Sequence, residues 1–157
     1  MDAFISIHCN SAENKDASGI ETFKYPGVGG VTKRLAENIQ NGLASNFPEE
    51  KDRGVKEAKY YVLKHTNAPA ALVEVGFISH DPTAEKLFRF SYQDKLARVI
   101  AEGVEKRKLF KSTLNNRLHR NLACVIDKSS RGAKLERAFE ELPKLFLEPN
   151  FKNSCDL

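Results

Sequence analysis

A chain of 157 residues that is 41% hydrophobic and 29% charged is long enough for one globular domain with its own core, and too apolar for disorder throughout. No run approaches the roughly 18 apolar residues of a membrane-spanning helix, and the N-terminus lacks the basic and then apolar layout of a secretory signal. Neither membrane insertion nor an export address is therefore expected. The net charge of +4 is unevenly placed: Lys and Arg against Asp and Glu number 13 to 15 over residues 1–105, 10 to 2 over 106–137 and 2 to 4 over 138–157.

In chain order, Ala3 to His8 alternates, with Phe4, Ser6 and His8 on one side and Ala3, Ile5 and Ile7 on the other. This is the period of a strand, and apolar groups on both sides place it inside a sheet. A polar loop follows, and Gly19–Tyr25 (GIETFKY) reads as a second strand closed by Pro26 and nearby glycines. From Val31 the period changes. Leu35, Ile39, Leu43 and Phe47, with Ala36 and Gly42 beside them, form one helical stripe that Pro48 ends.

PEEKDRG (48–54) reads as a charged loop, and Lys59–Lys64 and Ala70–Phe77 as two further strands. Asp81 before Pro82 predicts a helix start with the carboxylate as N-cap. Leu96, Val99, Ile100, Gly103 and Val104 predict a second helix from about Tyr92 towards Arg107. Strands and helices alternate, so the expected class is an α/β layered domain with a largely parallel sheet flanked by helices. Residues 1–108 are expected to form this domain and residues 109–157 a basic, mostly helical extension, with a short apolar run at Leu122–Ile126 and a helix from Ala133 to Leu147 interrupted by Pro143. The basic run is most simply a solvated face; contact with nucleic acid, an anionic cell-wall polymer or a membrane surface is the other reading. Cys9, Cys124 and Cys155 are widely spaced with no Cys-x-x-Cys pair, which predicts free thiols rather than a disulfide framework or a zinc ribbon.

Two residues could carry chemistry. In open α/β sheets, sites form at the carboxyl ends of the strands, where His8 ends one strand and Glu74 lies late in another. An ionised carboxylate in so apolar a strand needs a reason. A metal ligand and a general base would supply one. A hydrogen-bonded structural histidine, and a salt bridge from Glu74 to Lys56, Lys59 or Lys64, would supply another.

DAFISIHCNSA, GIETFKY, RGVKEAKYYVLKHTNAPAALVEVGFISHDPTAEKL and LARVIAEGV, in this order and spacing over about the first 105 residues, resemble the later part of the zinc-dependent N-acetylmuramoyl-L-alanine amidases of the type 3 class. The resemblance implies hydrolysis of the amide between N-acetylmuramic acid and the L-alanine of the peptidoglycan stem, with His8 as a zinc ligand and Glu74 as the catalytic carboxylate. Asn10, Ser11 and Glu21 follow the motifs and are weaker candidates for lining the site; turn and strand-end hydrogen bonding is their other role. The family's two remaining zinc ligands lie upstream of the matched segment. The site is therefore expected to be incomplete here, since catalytic zinc takes three protein ligands and an open position. His65, His80, His119 and the cysteines stand in no matching motif, and Cys9 is expected to face away from His8.

Implied partners are peptidoglycan, without membrane insertion, and an envelope or extracellular location. Two other functions stay open: a metal-free remnant that binds peptidoglycan or a protein, and a nucleic-acid-binding role for the basic segment. The oligomeric state is not legible.

Overall fold

A computed structural model describes residues 3–109 and 122–126. The elements are β1 (Ala3–Asn10), β2 (Ile20–Lys24), α1 (Gly30–Asn46), β3 (Asp52–Glu57), α2 (Tyr61–Lys64), β4 (Ala70–Phe77), α3 (Asp81–Leu87), α4 (Phe90–Leu109) and β5 (Leu122–Ile126). The strands form a five-stranded sheet in the order β3-β2-β4-β1-β5. β1 pairs in parallel with β4 and with β5, β2 pairs in parallel with β3, and β2 meets β4 antiparallel. The expected α/β class and largely parallel sheet are what the chain forms.

β4 is buried along its whole length, as a central strand that is apolar except for Glu74 requires. Side-chain alternation then gives the sheet two unlike faces. Ala3, Ile5, Ala71, Val73 and Val75 join Leu35, Ile39, Leu43 and Phe47 of the α1 stripe and Leu96, Val99 and Ile100 of α4 in one core. The predicted stripe is thus the packed one. Gly103 lets α4 approach closely: a Cβ there would stand 2.8 Å from the Ile39 Cα. On the opposite face Ala70, Leu72 and Leu63 of α2 form a smaller cluster, with Phe4, Phe23, Tyr25 and Val62 against it.

Three local expectations are corrected. Lys59–Lys64 is not a strand: Leu63, Lys64 and His65 donate their backbone N–H groups back to Tyr60 or Tyr61. Burial explains this, because Leu63 is buried while Tyr61 is 76% exposed, which is no strand period. Asp52–Glu57 is a strand rather than part of a loop; it lies at the sheet edge, where charged side chains are tolerated and useful. The N-cap of α3 is His80, with Asp81 in the first turn and Pro82 close behind. The His80 Nδ1 lies 2.9 Å from the Thr83 hydroxyl, so the ring is held at the helix start. The apolar run Leu122–Ile126 adds to the sheet beside β1, while the predicted helix over 133–147 lies outside the described residues.

Candidate functional site

His8, Glu74 and Glu21 form one row across three neighbouring strands. His8 is the register partner of Glu74 across β1 and β4, and Glu74 is that of Glu21 across β4 and β2. Strand spacing of about 4.8 Å brings the side chains of such a row into one neighbourhood. All three project from the face opposite the large core, for the alternation that buries Ile5, Val73 and Thr22 on the helix side turns the row outward from it. Glu21 and Glu74 are nonetheless buried, at 3% and 8% exposure.

Two buried carboxylates on adjacent strands repel unless cations compensate them. Arg53 Nε donates to Glu21 Oε2 at 2.9 Å, and Lys56 Nζ donates to the same oxygen. Asn10 Nδ2 donates to Oε1 at 2.8 Å. Burial works against the Glu21 charge, but the hydrogen bonds from Lys56 and Arg53 outweigh it and hold the carboxyl below its ordinary range. Lys56 therefore pairs with Glu21. The Arg53 guanidinium also lies 5.0 Å over the Phe77 ring, a cation–π contact that fixes its plane.

The sequence candidates fall into this network to different degrees. His8 Nε2 lies 2.6 Å from Ser6 Oγ, and Ser6 is fully buried, so the imidazole is oriented from within its own strand. Asn10 turns its amide to Glu21 and its Oδ1 to the Ser11 N–H, at 2.8 Å. Ser11 itself is exposed and enters through its backbone. The Ile78 N–H donates to the Asn10 carbonyl at 2.8 Å and the Ala12 N–H to Ser79 Oγ at 3.0 Å, tying together the loops that leave β1 and β4. Cys9 packs against the large core, facing away from His8 as expected. Burial first, and then the Glu74 charge, push its thiol up to about 11, which keeps it protonated and a poor nucleophile or ligand at neutral pH.

Arg53 is the site residue that sequence reading missed, because 48–54 reads as a charged loop, whereas Lys56 enters that reading only as a structural partner of Glu74. The φ of 74° at Gly54 accommodates an irregularity between Asp52 and Val55 that brings both cations to Glu21.

Among the described residues no group of three or more His, Cys, Asp or Glu could hold a metal ion. The donors present therefore do not fit the three-ligand set that catalytic zinc requires.

The family model for N-acetylmuramoyl-L-alanine amidase matches residues 1–106. Over 105 residues the chain is 42% identical to the N-acetylmuramoyl-L-alanine amidase LytC of Bacillus subtilis, covering 65% of this chain and 21% of that protein. Over 121 residues it is 36% identical to the sporulation-specific N-acetylmuramoyl-L-alanine amidase of the same organism, covering 76% of this chain and 45% of that one. Among solved structures, an N-acetylmuramoyl-L-alanine amidase from Clostridium difficile 630 superposes with a TM-score of 0.66 at 35% identity, over 71% of this chain and 60% of that one. The CwlD amidase of Clostridioides difficile, solved in complex with the GerS lipoprotein, does so with a TM-score of 0.65 at 33% identity, over 70% and 56% of the two chains. The chain spans half or less of the length of these curated relatives. With a family match over two thirds of its residues and this fold agreement, the chain belongs to the N-acetylmuramoyl-L-alanine amidase family.

Proposed function

We propose that the chain carries the later half of a peptidoglycan amidase site, which hydrolyses the amide between the lactyl carbonyl of N-acetylmuramic acid and L-alanine. The observation that carries this reading is the row His8–Glu74–Glu21, in which Glu74 is buried in register with the histidine and Glu21 is held by Arg53 and Lys56. Glu21 is held by two cations and an amide, and the base is assigned to Glu74, which stands at the glutamate of the LVEVGFIS motif in which the family carries its catalytic carboxylate. In the reaction Glu74 accepts a proton from the attacking water and returns it to the leaving amine as the C–N bond breaks. Asn10 and Glu21 hold the loop after β1 in place; Ser11 lines the rim through its backbone.

His8 is assigned as one donor to the zinc on which the family depends. The described residues do not complete that site, so zinc binding by them alone is expected to be weak. The substrate places the protein's work at the cell envelope or outside the cell. No helix among the described residues is long and apolar enough to cross a membrane.

The test uses the chain joined to an upstream segment that bears two further zinc donors. Purified cell wall should release stem peptides with new L-alanine amino termini, and zinc should be stoichiometric. His8→Ala should lose both; Glu74→Gln should lose release, by about 100-fold or more, and keep zinc. Release by Glu74→Gln at the parent rate would overturn the base assignment.

A further inference from the structure

The face that carries the carboxylate row also carries two consecutive tyrosines that the proposed reaction does not use. Tyr60 sits at the N-cap of α2 and is 39% exposed. Its ring meets Phe23 edge-on, with centroids 5.3 Å apart and planes at 82°. Phe23 in turn is the β2 register partner of Leu72, two residues from Glu74 on the same face. Burial, and then the charges of Glu74 and Glu21, raise the Tyr60 phenol, which puts it within electrostatic reach of both carboxylates. Tyr61 is the most exposed of the large apolar side chains described, at 76%. It is not loose: its ring stacks on His65 at 4.0 Å and 29°, and the His65 Nδ1 lies 3.1 Å from the Tyr61 carbonyl.

Two consecutive aromatic rings, each braced by a second ring and both open to solvent, the first of them near the carboxylates, suit a ligand with one flat apolar face and polar edges. A pyranose ring has that form. The scissile amide has such a ring on its acyl side, whereas the stem peptide begins with alanine, whose methyl group offers little to stack.

We propose that Tyr60 and Tyr61, braced by Phe23 and His65, form an aromatic ledge that binds the N-acetylmuramic acid ring and so sets which acyl group reaches Glu74. The ledge rests on the amidase reading for the identity of its ligand, but its binding requires neither metal nor turnover.

The chain contains no tryptophan, so Tyr61→Trp places a single indole reporter on the ledge. Titration with the disaccharide of N-acetylglucosamine and N-acetylmuramic acid, carrying no peptide, should give a saturable emission change. A tetrapeptide beginning with L-alanine, carrying no sugar, should give none. In direct binding measurements on the otherwise unaltered chain, the Tyr60→Ala, Tyr61→Ala double variant should weaken disaccharide binding about tenfold, and the Tyr60→Phe, Tyr61→Phe double variant should restore most of it. In the hydrolytically competent protein, Tyr61→Ala should raise KM and leave kcat near the parent value. An indole that responds to the peptide and not to the disaccharide, or an alanine double variant that folds and binds the disaccharide as the parent does, overturns the ledge. Disaccharide binding with no release from cell wall overturns the amidase reading and supports the ledge; release that Tyr61→Ala leaves unchanged, with no disaccharide binding, does the reverse.

Discussion

The two faces of the sheet are built from the same strands by opposite rules. Towards α1 and α4, alternate residues of β1 and β4 are apolar and packed, with Leu35, Ala36, Ile39 and Leu43 fully excluded from solvent. Towards α2, the same strands present Ser6, His8 and Glu74, and β2 adds Glu21. Apolar burial is concentrated on the first face and buried charge on the second, because burying apolar area is favourable wherever it happens while a buried charge must be compensated by named partners.

That separation can be broken by substitution. The largest effect on stability is expected from Ile39→Ala, which should cost about 2–5 kcal/mol, read as a lowered midpoint in denaturant melts. Glu74→Gln, in contrast, should change stability by less than about 1 kcal/mol while abolishing release from cell wall. A Glu74→Gln protein as unstable as Ile39→Ala would show that the polar face also holds the fold together.

Arg53→Met tests the compensated carboxylate and should cost about 1.5–3 kcal/mol at neutral pH. The Glu21 carboxyl is depressed in the folded state, so its contribution is present above the ordinary carboxylate pKa and is lost as pH falls through the folded value. Parent stability should therefore decline on acidification, and Arg53→Met should decline less steeply over the same window. Equal slopes would mean that Lys56 and Asn10 suffice for Glu21. A smaller loss, about 1–3 kcal/mol, is expected from Gly103→Ala, since the added Cβ meets the Ile39 backbone rather than a side chain that can move. Thermal melting of this variant measures how closely α4 must seat on α1.

Elements whose burial is set by their own period were legible in the chain. β1, the α1 stripe, β4 and α4 each announce themselves by alternation, by helical spacing or by a nearly continuous apolar run, and they place His8 and Glu74 as register partners in the later halves of β1 and β4. Tyr60 to Lys64 misled because two tyrosines and a valine score as strand formers, whereas Leu63 is buried in the small cluster on β4 with Val62 against it, and the backbone closes a helical turn there.

The sequence by itself determined the layered α/β class, the core face of each long element and, through the spacing of its motifs, the family and the two residues assigned to chemistry. Tertiary structure decided what no local pattern encodes. It made β3 a strand at the sheet edge, delivered Arg53 and Lys56 to Glu21 over more than thirty residues of chain, and set Tyr60 near the carboxylates. The reason is that a period records only which side of an element avoids water, while a charge is placed by the particular partner it meets across the sheet.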